Sequence, residues 1–309
     1  MYLEHFGLRE MPFSLTPDTE FFYSYGAWQE AFDVLMVALR GGEGFIKISG
    51  EVGTGKTLLC RKLLASIDEA EFVTAWLPNP CLTPAALRMA LADELGIRYP
   101  RNQGQHRLLG LINEGLIDIN ARGRRVVVLI DEAQALPDDT LEALRLLTNL
   151  ETEKRKLLQV VLFGQPELDQ RLARPGLRQL RQRIGFSHHL QAIDREGLPG
   201  YLNHRLLVAG YHGRPLFDAE AQAALFAASG GVPRLINVLA HKSLMAAFGR
   251  GLSAVDRDCV ALACTDTEGV TPPPRGLLAR LRARRGMALA AGLGALGLVA
   301  LIAGAGTLA

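Results

Sequence analysis

The stretch Gly50-Glu51-Val52-Gly53-Thr54-Gly55-Lys56-Thr57 constrains this chain more than any other. Gly-x-x-x-x-Gly-Lys-Thr is the pattern of a loop whose backbone N–H groups wrap phosphate oxygens, and small residues let the main chain approach that closely. Such a loop works between a strand that delivers it and a helix whose positive end it opens. Both are predicted here: Phe45-Ile46-Lys47-Ile48 reads as a strand, and an apolar-periodic helix runs on from Thr57. In that setting Lys56 reaches the β- and γ-phosphates of ATP, and the Thr57 hydroxyl coordinates Mg²⁺.

Further strand and helix signals alternate downstream. Residues 72–77, 126–130 and 157–163 read as strands, and residues 84–95, 108–121 and 138–150 as helices, the first with Thr83 as N-cap. Val126-Val127-Val128-Leu129-Ile130 is continuously apolar, as expected of a strand covered on both faces of a parallel sheet. It ends in Asp131-Glu132, which places two carboxylates at the carboxyl edge where open α/β sheets bind ligands. Asp131 is expected to hold the Mg²⁺, and Glu132 to orient and deprotonate an attacking water. The fold class is therefore α/β, a parallel sheet with helices on both faces.

Four helical stretches then follow, at 198–208, 218–228, 233–248 and 253–264, predicting a small all-helical lid domain. Ahead of the sheet, residues 1–25 carry Pro12 and Pro17 among aromatics, so they are read as an ordered arm rather than a continuous helix. The domain plan is an arm at 1–25, the nucleotide-binding domain at 26–192 and the lid at 193–268. A Pro/Arg-rich linker at 269–286 and a transmembrane helix at 287–309 complete it.

The tail is the other strong signal. Residues 287–309 contain no charged side chain, and as a helix they would extend about 35 Å against a hydrocarbon core of about 30 Å. Arg275, Arg280, Arg282, Arg284 and Arg285 precede it, the arrangement that keeps the preceding domain in the cytoplasm. The competing assignment is an unstructured Ala/Gly tail. No apolar signal-peptide core follows the N-terminus, and the expected location is the bacterial inner membrane, single-pass, with the ATPase domain cytoplasmic. A net charge of +2 gives no global attraction to nucleic acid, and Cys60, Cys81, Cys259 and Cys264 show no zinc-ligand or disulfide spacing.

The combination of P-loop, Asp-Glu strand end and helical lid resembles the AAA+ ATPases. The opening FGL…PF…TPD…FFY, the loop GEVGTGKT and the later FGQPEL and GGVPRLIN are more specific. They resemble the ATPases of the general secretion A component and of mannose-sensitive haemagglutinin pilus biogenesis, over residues 1 to about 265. The resemblance implies a sensor-1 role for Gln165, a sensor-2 role for Arg234 at a helix start, and an arginine finger reaching a neighbouring subunit. Arg183 is taken as the finger, with Arg178 and Arg181 as alternatives; otherwise the run is a solvated basic helix face. Many such relatives continue into a periplasmic peptidoglycan-binding domain; the sequence ends at Ala309, so a partner membrane protein is expected to supply that contact.

The expected function is thus a membrane-tethered, homo-oligomeric AAA+ ATPase that drives or times assembly of a secretion or type IV pilus machine with an inner-membrane partner. A DNA-directed AAA+ regulator resembling transposition ATPases is the alternative, disfavoured by the apolar tail, so nucleic acid is not among the expected partners. A nucleotide-gated scaffold without turnover is disfavoured by Glu132.

Overall fold

A computed structural model describes residues 2–78, 81–100, 104–151 and 156–270. The chain opens with a short helix α1 (Tyr2–Phe6), then α2 (Ala27–Gly41), which ends where Gly42 adopts the left-handed conformation, φ 82°. There follow β1 (Phe45–Ser49), α3 (Lys56–Ser66), β2 (Phe72–Leu77), α4 (Pro84–Glu94), α5 (Gln105–Ala121) and β3 (Arg125–Ile130). Next come α6 (Asp138–Leu147), β4 (Leu158–Gly164), α7 (Pro166–Leu172), α8 (Arg178–Arg183) and β5 (Ile184–His189). The last helices among the described residues are α9 (Gly197–Val208), α10 (Ala219–Ser229), α11 (Pro233–Gly249) and α12 (Arg257–Thr265).

The five strands form one parallel sheet in the order β2-β3-β4-β1-β5. Side chains alternate across it with the two-residue period of a strand. Val126, Val128 and Ile130 join Leu87, Ile112, Leu116 and Leu141 from α4, α5 and α6 in one core. Val127 and Leu129 pack with Leu35, Leu39, Leu59 and Leu63 from α2 and α3 in the other. The continuous apolar run of β3 is explained by this double cover. The Thr83 cap is as expected, its hydroxyl accepting from Ala86 N–H at 3.3 Å.

The arginine run lies on α8, where Arg178, Arg181 and Arg183 are all exposed on one short helix. The chain then turns into Ile184–His189, an edge strand beside β1 that was not among the strands expected. The helix expected at 253–264 instead starts at Arg257, because Val255 makes a bridge to Phe217 and Asp256 caps the helix through Cys259 N–H at 2.8 Å.

Residues of the arm pack on the C-terminal helices. Tyr2 hydroxyl and His241 Nδ1 lie 2.9 Å apart, Arg9 N–H donates to Ala209 O at 2.8 Å, and the Phe13 and Phe217 rings meet edge-on. Helices α9–α12, the arm and one face of the sheet share a continuous hydrophobic core. Among the described residues no helix is long and apolar enough to cross a membrane. The transmembrane segment expected at 287–309, and all but the first two residues of the 269–286 linker, lie outside the described residues.

Candidate nucleotide site

Adjacent strands β3, β4 and β1 deliver their chemistry side by side at the carboxyl edge of the sheet. From β1 the chain enters the loop 50–57, in which Gly53 and Gly55 have φ of 83° and 95°. A Cβ at Gly53 would lie 2.7 Å from Arg234 Cβ, and one at Gly50 would lie 2.8 Å from Leu190 O. The glycines are therefore required by conformation and by close approach together. Trp28 Nε1 donates to Thr54 O at 3.0 Å and Arg234 N–H to Gly53 O at 3.1 Å, so α2 and α11 clamp the loop from two sides.

Lys56 is buried, and its ammonium donates to Gly50 O at 2.7 Å and Glu51 O at 2.8 Å. Burial pushes its pKa down, opposed by the nearby carboxylates of Glu132, Asp131 and Glu51. At the next residue, Thr57 Oγ1 donates to Asp131 Oδ2 at 2.7 Å. Asp131 is buried, and desolvation pushes its carboxyl up in spite of the hydrogen bonds from Thr57 and from Glu132 N–H.

Glu132 has φ 51° and ψ 38°, the only left-handed non-glycine backbone among the described residues. That conformation costs about 1–2 kcal/mol for a residue bearing a Cβ. Its N–H donates to Asp131 Oδ1 at 2.9 Å, and its carboxylate Oε2 accepts from Gln134 Nε2 at 2.5 Å and from Gln165 Nε2 at 3.0 Å. Gln165 stands at the end of β4, as the sequence predicted, and reaches Glu132 rather than only shaping the turn before Pro166.

The loop, Glu132 and Gln165 line a cleft of about 310 Å³ whose other wall is Arg234 with Tyr201, Arg205 and Asn237 from α9 and α11. Residues Ser14 to Asp18 of the arm close it. Gly231 lets α11 dock there: a Cβ at this position would fall 1.9 Å from Ile193 O, and Ile193 N–H donates to Gly231 O at 2.9 Å. Arg183 is not in this cleft. It is exposed at the amino edge of the sheet, where Ile184 pairs with Phe45, and lines a separate hollow with Glu43, Gly44 and Lys156. Arg178 and Arg181 are also exposed.

The donor set fits ATP and Mg²⁺. The glycine cradle admits phosphate, and Thr57 with Asp131 supplies the few oxygen ligands that Mg²⁺ needs beside phosphate and water. Gln134, Trp28 and Arg205 were not singled out from sequence. Gln134 follows the acidic pair by only two positions, yet nothing in its residue type marks it until β4 brings Gln165 alongside.

Residues 39–172 match the AAA domain family. That match covers less than half of the chain. Its span takes in the loop, Asp131, Glu132 and Gln165. The chain is 44% identical over 270 residues to general secretion pathway protein A of Aeromonas hydrophila, an alignment covering 87% of this chain and 49% of that protein. It therefore spans about half that relative's length. Among solved structures, the Aeropyrum pernix ORC2 protein in its ADPNP–ADP complexes superposes with a TM-score of 0.58 at 16% identity, covering 83% of this chain and 73% of that one. Cdc6p of Pyrobaculum aerophilum gives 0.58 at 19% identity, with 81% and 70% covered. At those identities the likeness shows a shared fold and nothing finer.

Proposed function

We propose that this AAA domain binds ATP with Mg²⁺ in the cleft and hydrolyses it. The observation that carries this reading is the convergence of Lys56, Thr57, Asp131, Glu132, Gln165 and Arg234 on one site. Lys56 and the loop N–H groups hold the β- and γ-phosphates, and Arg234 approaches them from α11. Thr57 and Asp131 hold Mg²⁺, which neutralises charge on the phosphate oxygens when bound. Glu132 takes a proton from the attacking water, and Gln165 keeps the carboxylate in place. Residues 193–268 act as a lid on this site.

The fuller reading is a homo-oligomeric ATPase, tethered to the inner membrane by residues 287–309 with its AAA domain cytoplasmic. There it works with an inner-membrane partner to assemble or position a secretion or type IV pilus machine. Support comes from the 44% identity to a protein named for general secretion and from the apolar tail with its preceding arginines. In the oligomer Arg183 reaches a neighbour's cleft, which suits its exposure and its distance in the fold from its own. The likeness to ORC2 and Cdc6p concerns architecture alone and adds no weight to a DNA-directed role.

The decisive experiment is Glu132→Gln. An amide accepts the same two hydrogen bonds but takes no proton, so ATP should stay bound while turnover falls by roughly 10²-fold or more. Parental turnover in that variant would overturn the assignment.

A further inference from the structure

Two side-chain amides converge on a single oxygen of Glu132. Gln134 Nε2 and Gln165 Nε2 both donate to Oε2, at 2.5 Å and 3.0 Å, while Oε1 accepts nothing from the described residues. Gln134 is itself held at its other end, where Oε1 of its amide accepts from Gln165 N–H at 3.0 Å. Its carbonyl accepts from Arg171, which also pairs with Asp138 at the start of α6. The turn bearing Gln134 is thus fixed to both α6 and α7, and the amide has little freedom to swing away.

We propose that Gln134 is a positioning residue for ATP hydrolysis, anchoring one carboxylate oxygen of Glu132 so that the other is presented to the attacking water. A glutamate has rotatable bonds to spare, and an unanchored carboxylate would sample orientations in which neither oxygen meets the water. Gln165 alone gives one donor and leaves rotation about that contact open. With the second amide on the same oxygen, and with the backbone of Glu132 already left-handed, the remaining oxygen has one direction. Gln134 touches neither phosphate nor water in this scheme; it acts through Glu132. The inference rests on Glu132 being the base.

The test uses the full chain and two substitutions. Gln134→Met keeps the length of the side chain without hydrogen bonds; Gln134→Glu keeps the acceptor for Gln165 N–H but loses the donor to Glu132. Both should lower kcat by about 10-fold or more while KM and the affinity for a fluorescent ATP analogue stay at parental values. Adding Gln134→Met to Glu132→Gln should cost nothing further, because the residue through which it acts is already disabled. Parental kcat in both variants, or a full further loss in the Glu132→Gln background, overturns the proposal. Loss of ATP binding in both would make Gln134 a structural residue and overturn it as well. If Glu132→Gln itself turns over at the parental rate, the base assignment has failed, and this inference falls with it. A disabled Glu132→Gln beside a fully active Gln134→Met defeats the positioning role alone.

Discussion

Thr57 and Asp131 stand 74 positions apart in the chain, yet the threonine hydroxyl donates to the aspartate at 2.7 Å. One residue opens the helix after the loop and the other ends a strand two places away in the sheet. Their contact joins the two halves of the candidate site.

Lys56→Ala should abolish binding of a fluorescent ATP analogue while leaving the cooperative unfolding transition in place. The ammonium is buried against backbone carbonyls and supports no core packing, so its loss removes a ligand rather than a strut. Unchanged affinity would show that phosphate binds elsewhere.

Asp131→Asn should make the metal-free protein more stable while removing Mg²⁺-dependent nucleotide binding. Burial places the folded pKa of Asp131 above its unfolded value of about 3.9, so the folded chain holds that proton more tightly. Stability from this group is therefore lost as pH rises through that interval. The advantage of the variant should grow from about pH 4 upward and level off above the raised folded pKa. Urea denaturation of both proteins across pH, in chelator, checks this; a pH-independent difference would rule the linkage out.

Arg205 is buried, stacks 4.6 Å from the centre of Phe21 and donates to the carbonyls of Pro12 and Ser14. Arg205→Ala strands those carbonyls and should cost about 2–4 kcal/mol. Limited proteolysis should then cut near residues 12–18 more readily than in the parent. Arg205→Lys, which keeps the charge but not the planar fork, should fall between the two.

Neither Arg183→Ala nor Lys56→Ala should hydrolyse ATP alone, but co-assembled mixtures should recover part of the activity. Each mixed interface can pair an intact loop with an intact finger. Silence in mixtures shown to co-assemble would argue against a contribution from the neighbouring subunit.

A periplasmic reporter fused after Ala309 should be active, and one fused after Thr265 inactive, if residues 287–309 cross the membrane with the arginines retained inside. A silent reporter after Ala309, with the chain in the soluble fraction, would leave no tether.

Elements that carry their own instruction were legible from the chain. Strand β3 reads from five consecutive apolar residues, α4 from Thr83 followed by Pro84, and the loop from glycines at fixed spacing ahead of Lys56. Strand β5 was missed because Ile184, Phe186 and His188 are only half-buried and alternate with exposed residues at the sheet's edge. What makes it a strand is the backbone of β1, and no local pattern records that.

By itself, then, the sequence determined the glycine-rich loop, the acidic strand end and the alternation of strands and helices from β1 to β4, because each depends on neighbours within a few residues. Only the tertiary structure decided that Trp28 props Thr54, that Arg205 ties down the arm, and that Gln134 and Gln165 share one oxygen of Glu132. It also decided that Arg183 stands at the far edge of the sheet from the cleft of its own chain. These are contacts between segments far apart in sequence, brought together by burial of the sheet's two faces, and a hydrogen bond across such a distance leaves no periodicity or spacing to read.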